Sequence, residues 1–495
     1  MKRMHPINIL ENVSGYFWLL LFPLIRGFFS FRGGIWAWLG GVWFDLLILA
    51  AIFGLAFLRW WLAGYELTQD GVRIVNGILV RKDFLVPYRQ FASVSLVAPF
   101  YYRPFGAVHL SADSDTGNNW KYDFTLTLPL KPAQEILHRA KCGWCPGLSG
   151  QRRTYRSSGF YIAMLAFISS KTVTGVLFTA AFLVQAGKIL GHEFETTFLQ
   201  GLTDLANKLA FGIPPAAVFL ALVVVLGWVI SFIINLARNY RFTVSRQENS
   251  LQIQCGFFTR YRHQMNVEKV NLVESRQSII TKAFHIHSLF LHCAGYGKAK
   301  NELSVLFPAA NEKRVWEIVQ NIMPEWHFTK RTVFPNGKSI FRFILTPVGI
   351  GVALGLVALV LAGIFPRLSD LILFLGGMFE LPVLWWLTAR IIAFYHTGIS
   401  KSGGVYTLRF SRGFGFHSVA VREEKVVQVK LRQSIWQGMS GSCNLIVYTW
   451  SEGKKRHVIP ALPVEQACEL MGISKPEKAT LSGWKRLAHG LKEET

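Results

Sequence analysis

Long apolar runs alternate along this chain with blocks in which apolar and polar residues take turns. A helix needs about 20 predominantly apolar residues to cross a bilayer. Five runs reach that length: Trp36–Trp60, Phe160–Ala186, Gly212–Leu236, Phe343–Phe365 and Leu371–Tyr395. A sixth, Gly15–Phe31, is shorter, holds Pro23 and carries Arg26, which predicts a tilted span or a re-entrant helix. Trp36, Trp38, Trp60 and Trp61 flank the second run as an interfacial belt. The runs fall into pairs at 1–62, 159–238 and 342–394, so about six transmembrane helices are expected. Each pair leads into a more polar block, at 63–141, 239–324 and 395–474. Basic linkers at 142–158 and 325–341 separate the units, and a charged tail occupies 475–495.

The three blocks repeat one pattern. Each opens on a tyrosine (Tyr65, Tyr240, Tyr395), alternates apolar and polar positions, and turns at a glycine (Gly77, Gly256, Gly413). Period-two alternation broken by glycine predicts β-hairpins. The next strand reads FASVSLV, VEKVNLV and EEKVVQV in the three blocks. In the second and third, an RQS phrase follows at the same distance, Glu268 to Arg276 and Glu424 to Arg432. The first block has APFYYRPFGAVHL there, which aligns Arg103 and Phe105 with Lys282 and Phe284. Each block then passes a proline (Pro129, Pro308, Pro460) and ends in an amphipathic helix. In the second, Val315, Ile318, Val319 and Ile322 form one buried stripe. The fold class is therefore membrane α-helical hairpins plus three small β-rich domains, each a curved antiparallel sheet or barrel capped by a C-terminal helix, arranged as an internal repeat.

The chain resembles the bacterial pleckstrin-homology-like membrane proteins of the YdbS/YdbT type. The likeness rests on HPINIL near residue 5, the YxLT…GxxIxxG opening at Tyr65–Gly77, RPFG at Arg103–Gly106, and the two RQS phrases. Copies two and three lack RPFG, and copy three lacks the threonine after its tyrosine. If RPFG marks a ligand surface in the family, only the first block keeps it. The resemblance implies PH-like domains, a role at the cell envelope such as tolerance of membrane-active agents, and a smaller PH-like membrane protein as hetero-oligomeric partner.

Charge orients this arrangement. Among 495 residues, Lys and Arg outnumber Asp and Glu by 53 to 29, for a net charge of +24. The segment 139–156 holds Arg139, Lys141, Arg152, Arg153 and Arg156 with no acid, whereas the second hairpin loop balances Lys188 and Lys208 against Glu193, Glu195 and Asp204. The positive-inside bias puts the blocks in the cytoplasm, against the anionic leaflet of the inner membrane. Arg26 and Arg32 in the first hairpin are a mild dissent. Nucleic acid is disfavoured as partner, because the basic residues crowd beside apolar runs without an aromatic-lined groove. The N-terminal segment has no short apolar core with a cleavage site and is expected to be retained.

Candidate chemistry is sparse. No GxSxG, HExxH, P-loop or GxGxxG follows a strand, so no enzyme and no cofactor is expected. Cys142 and Cys145 form a lone CxxC, with His138 as a conceivable third ligand, but no second pair completes a zinc site. His285, His287 and His292, beside Cys293, read as strand histidines more readily than as metal ligands. Arg103, Arg276, Arg432, Lys269 and Lys425 are the candidates for contact with an anion or lipid headgroup. The alternative is that Arg, Gln and Ser of the RQS phrase satisfy turn backbone. Asp45 and Glu380 lie deepest in the apolar runs, and either line a polar path or join helices. Lys171 and Arg390 are expected to snorkel. The favoured function is a non-enzymatic multi-pass membrane protein that presents its domains to lipid or a partner. The alternative is a lipid or small-solute transporter working through Asp45 and Glu380.

Overall fold

The computed structural model describes residues 1–14, 49–77, 80–114, 122–144, 151–169, 200, 204, 215–296, 304–434, 437–438, 440–451 and 453–473. Gly15–Phe31, most of Trp36–Trp60 with Asp45, most of Phe160–Ala186 with Lys171, Cys145 and the tail lie outside the described residues. The chain forms two compact units. The first holds Met1–Val270 and Cys293–Ala310, the second Asn271–His292 and Asn311–Thr495. The division thus runs through the second polar block rather than between blocks.

In the first unit, β1 (Lys2–Arg3), β2 (Gly64–Leu67), β3 (Gly71–Asn76) and β4 (Lys82–Pro87) form one antiparallel sheet. A second sheet contains β5 (Phe91–Ala98), β6 (Ala107–Ser114), β7 (Phe124–Pro129), β8 (Arg153–Arg156), β9 (Thr243–Gln247), β10 (Ser250–Cys255) and β11 (Arg260–Asn266), in the order β7-β6-β5-β11-β10-β9-β8. Val72 and Ile74 of the first sheet pack with Phe91, Leu110 and Leu126 of the second, and Ile136, Leu137 and Ala140 of helix Leu130–Trp144 close the core. Alternating positions on both strand sets point into that core, as the sequence pattern requires. The N-terminal segment joins it: β1 pairs with β2, and the Trp60 Nε1 donates to the Met4 carbonyl.

Two features depart from the sequence expectation. Blocks one and two share a sheet, because β5 pairs with β11 from Ala98↔Arg260 to Ser93↔Met265. The linker 142–158 is not simply a linker: the helix runs to Trp144, and β8 pairs with β9 from Arg153↔Arg246 to Arg156↔Thr243. β8 is a sheet edge, and its arginines blunt that edge by charge.

The second unit repeats the joining device. β12 (Val270–Ser278) and β13 (Ile286–Cys293) precede β15 (Gly398–Ser402), β16 (Val405–Arg412) and β17 (Gly415–Arg422), whereas β14 (Val305–Asn311) belongs to the first unit up to Ala310. β12 pairs with β17 from Leu272↔Val421 to Ser278↔Gly415. β18 (Val426–Arg432), β19 (Ser442–Ser451) and β20 (Gly453–Pro463) form a separate sheet. Its Leu445, Val447 and Ile459 pack on Leu408, Val419 and Val421, with Ala467 of helix Val464–Met471.

Several positions correspond across the blocks. Three strands lead through a 3-10 turn, Tyr88–Gln90, Val267–Lys269 or Glu423–Lys425, into a longer strand. A left-handed residue follows at Gly106, His285 and Gly441, with φ of 63°, 53° and 62°. Its carbonyl accepts a hydrogen bond from the backbone N–H that opens the closing helix, at Leu130 (3.0 Å), Glu312 (3.1 Å) and Val464 (3.1 Å). His285 is therefore a turn residue; β13 starts after it.

Among the described residues, two helices are long and apolar enough to cross a membrane, Gly337–Ile364 and Leu375–His396. Shorter apolar helices are Leu49–Leu62 and Val223–Arg238. The long pair holds Phe341, Leu345 and Phe379 outward, 69%, 71% and 63% exposed. Each such side chain left in water forgoes about 1.5–3 kcal/mol, so this surface suits lipid.

Gly77 and Gly256 turn their hairpins at φ of 117° and 104°, and a Cβ on either would meet the carbonyl oxygen of Val80 or Thr259 at 1.9 Å. Gly256→Ala is expected to cost about 2 kcal/mol or more. It should lower the thermal midpoint of the purified full chain by several degrees, whereas Gly337→Ala, with open space around it, should not.

Candidate functional site

The RPFG turn tethers the first block to the second. Arg103 begins a 3-10 turn, Arg103–Phe105, that Gly106 ends in the left-handed region. Its Nη2 donates to the carbonyls of Phe257 (2.8 Å) and Phe258 (2.6 Å) in the β10–β11 turn. That turn is fastened in turn to helix Pro215–Arg238: the Phe257 N–H donates to the Ala237 carbonyl, and the Gly256 N–H to the Tyr240 carbonyl. Around these bonds stand exposed aromatics, Phe100, Tyr101, Phe105, Tyr240, Phe257 and Phe258. Tyr240 and Phe257 meet edge-on at 5.3 Å, and Phe257 and Phe258 at 5.0 Å.

Behind this rim lies a cavity of about 910 Å³. Arg103, Arg156, Arg241, Arg260 and Arg262 line it beside apolar Leu96, Val108 and Leu130, and its described lining contains no acidic side chain. Burial lowers the pKa of Arg262, and the charge of Arg152 adds to that. The buried Nε of Arg262 has no hydrogen-bond partner among the described residues. A desolvated guanidinium with an unmade hydrogen bond favours an incoming oxyanion, and charge-assisted bonds to phosphate are the strong kind.

None of the other predicted contacts is among the lining residues of this cavity. Arg276 on β12 donates to Glu274 Oε2 (2.7 Å) and lies 4.1 Å over the Phe290 ring. The rest of its phrase serves the turn. Gln277 donates to the Ile286 carbonyl (3.0 Å), and Ser278 forms a capping box with Thr281 on helix Ile279–Ala283. In the third copy, Gln433 donates to the Ser442 carbonyl (3.0 Å), and the Gln437 N–H donates to the Ser434 hydroxyl. Arg432 is exposed at the end of β18, and Lys269 and Lys425 each end a 3-10 turn. Lys282, aligned with Arg103, lies 3.1 Å from His396 Nδ1 and 4.8 Å over the Phe416 ring. Burial lowers its pKa to about 8.

Sequence reasoning missed Glu274, whose side chain is 3% exposed. His417 Nδ1 lies 2.6 Å from its Oε1, and His292 Nε2 lies 2.9 Å from its Oε2. A carboxylate only accepts, so both imidazoles donate. Burial alone would raise the Glu274 pKa, but hydrogen bonds from His292, His417 and Arg276 outweigh it and hold the carboxyl well below the usual range. No local signal marks this group, since His417 comes from another block. His287 contacts the Ser275 hydroxyl at 3.0 Å, and Cys142 contacts His138 at 3.6 Å along one helix.

Glu380 faces the neighbouring apolar helix: a Cβ on Gly351 would lie 3.2 Å from its Oε2, and one on Gly355 3.8 Å from its Oε1. Small residues four apart leave a notch that accepts a polar partner. The Arg390 Nε donates to the Phe343 carbonyl (3.3 Å), with the guanidinium over the Phe343 ring.

A family model described as "Bacterial PH domain" matches residues 21–140 and 159–324. The "UPF0699 transmembrane protein YdbT" of Bacillus subtilis (strain 168) is 21% identical over 363 residues, which cover 66% of this chain and 70% of that protein. No solved structure matches the chain.

The buried groups of the second unit make it acid-labile. Burial lowers His287 and His457 from 6.5 to about 4. A histidine kept neutral when folded loses stability as pH falls from its unfolded pKa to its folded one, at roughly 1 kcal/mol per pH unit. The contribution of Glu274 is present above 4.5 and lost as acid titrates it. The thermal midpoint of the full chain should therefore fall as pH drops from about 6.5 to about 4, and His457→Asn should flatten the profile. A flat wild-type profile would contradict the assignment.

Proposed function

Because the chain belongs to the bacterial PH domain family, we propose that its arginine-lined cavity holds the phosphate of an anionic phospholipid while the aromatic rim sits in the headgroup layer. One observation carries this reading: five arginines face a cavity without an acidic lining residue, immediately after an apolar helix and behind six exposed aromatics. Aromatic side chains favour the membrane–water interface. Basic residues near an anionic leaflet gain about 1 kcal/mol each. The apolar part of the lining suits an acyl or glycerol segment, and the guanidiniums suit the phosphate.

In the same reading the protein spans the inner membrane about six times and carries three copies of one PH-like module on the cytoplasmic side. The matching turn residues and strand strings of the three blocks support the triplication. The basic linkers support the orientation. The protein works without catalysis, as a membrane-held scaffold for the anionic leaflet and for a smaller PH-like membrane protein, with a role in envelope-stress tolerance. Glu380, lodged against Gly351 and Gly355, supports helix packing over a transport path.

The full chain, reconstituted in nanodiscs of mixed neutral and anionic phospholipid, tests the lipid site. Arg156 and Arg260 are exposed, so their replacement leaves the core intact. Arg156→Ala with Arg260→Ala should reduce co-purifying anionic lipid about tenfold, measured by mass spectrometry. Unchanged retention would sink the proposal. A reporter active only in the periplasm should stay silent when fused after each block, and activity from any fusion would overturn the orientation.

A further inference from the structure

The second unit has a basic cavity of its own, of about 660 Å³. Arg276, Arg412, Lys455 and Arg456 line it, together with His417, His457 and the single carboxylate of Glu274. A purely structural role would pair these charges off, and the geometry leaves most of them unpaired. Glu274 takes Arg276 at 2.7 Å and Lys455 at 3.5 Å, and it also accepts from both histidines. Four permanent cations thus share one carboxylate, an excess of about three positive charges. The buried Nε of Arg276 has no partner among the described residues, and Arg412 and Arg456 are exposed. Lys455 is further constrained: its Nζ lies 3.1 Å from His292 Nε2, whose hydrogen already points at Glu274. Burial lowers the Lys455 pKa, and an anion beside its ammonium would offset that desolvation.

We propose that this cavity is a binding site for a multiply charged phosphate, of the pyrophosphate or phosphomonoester class. Glu274 acts as the internal counter-charge that keeps Arg276 and Lys455 aimed inward when the site is empty. An anion with two or three negative charges matches the excess, whereas a singly charged one leaves most of it uncompensated. Arg412 and Arg456, both exposed at the mouth, close over the outer oxygens, and guanidinium forks grip phosphate in two places at once. Phe410, stacked on His417 at 5.3 Å and in contact with His457 at 5.5 Å, forms an aromatic wall beside the phosphate position. The phosphate arrives on a soluble molecule or on a lipid headgroup, and the two sources are experimentally separable.

The test is calorimetric titration of the full chain, held in neutral phosphatidylcholine nanodiscs, with inorganic pyrophosphate. Saturable binding is expected, weakened at least tenfold by Arg412→Ala with Arg456→Ala, which touch no core. Arg156→Ala with Arg260→Ala disables the first cavity, and the pyrophosphate binding that Arg412→Ala with Arg456→Ala weakens is expected to persist in that background, which separates this site from the lipid cavity. A parallel arm adds phosphatidic acid to the nanodisc. Loss of pyrophosphate binding there, restored in nanodiscs of phosphatidylcholine alone, assigns the phosphate to a lipid. Retention assigns it to a soluble molecule. Absence of pyrophosphate binding both with and without phosphatidic acid, or binding that the mouth substitutions do not alter, overturns the proposal.

Discussion

Edge pairing between consecutive blocks is the constraint on which the described architecture rests. An open antiparallel sheet leaves a row of unpaired N–H and C=O groups that invites association. In the first unit the free edge of β5 is covered by β11, and in the second that of β12 by β17. Each pairing commits a hairpin of one block to a sheet begun by the block before it. The blocks therefore do not fold as beads on a string, and the compact units cut through the second block instead of between blocks.

That constraint also builds the cavities. Arg260 and Arg262 reach the first cavity because β11 lies beside β5, which brings them opposite Ala98 and Leu96. Glu274 meets His417 because β12 lies beside β17, where His417 is the register partner of Arg276. In both units the charged residues come from blocks distant in sequence and converge only through main-chain pairing. Substitutions that slip either register by one residue would turn every side chain of the slipped strand to the opposite face.

Local signals carried much of this fold. Alternation marked the strands, glycine marked the hairpin turns, and the stripe of Val315, Ile318, Val319 and Ile322 is buried on one helix as its spacing required. The equivalence of Arg103 with Lys282 was legible from the surrounding phenylalanines, and both cations reach toward the end of an apolar helix, one through the Phe257 turn and the other through His396. What stayed hidden was long-range. β8 reads as a charged linker because an edge strand needs no alternating apolar face. Glu274 reads as an ordinary strand acid because its partners lie up to 181 residues away. Gln277 and Ser278 drew notice by repetition, and they repeat because the turn needs the same backbone bonds in each copy.

The two basic cavities differ in how their charge is held. In the second unit Glu274 supplies a fixed negative centre, and the surrounding cations are partly oriented by it before any ligand arrives. Such preorganisation lowers the ordering cost of binding. The first cavity has no acid in its described lining, and Arg103 spends its donors on two carbonyls instead. Its remaining guanidiniums repel one another, with no counter-charge in that lining. A cavity of that kind is stabilised by whatever anion occupies it, in proportion to the concentration present. Beside an apolar helix and an aromatic rim, the anionic headgroup of the proposed function would meet that need continuously, since a site tethered at a surface sees its ligand at high effective concentration.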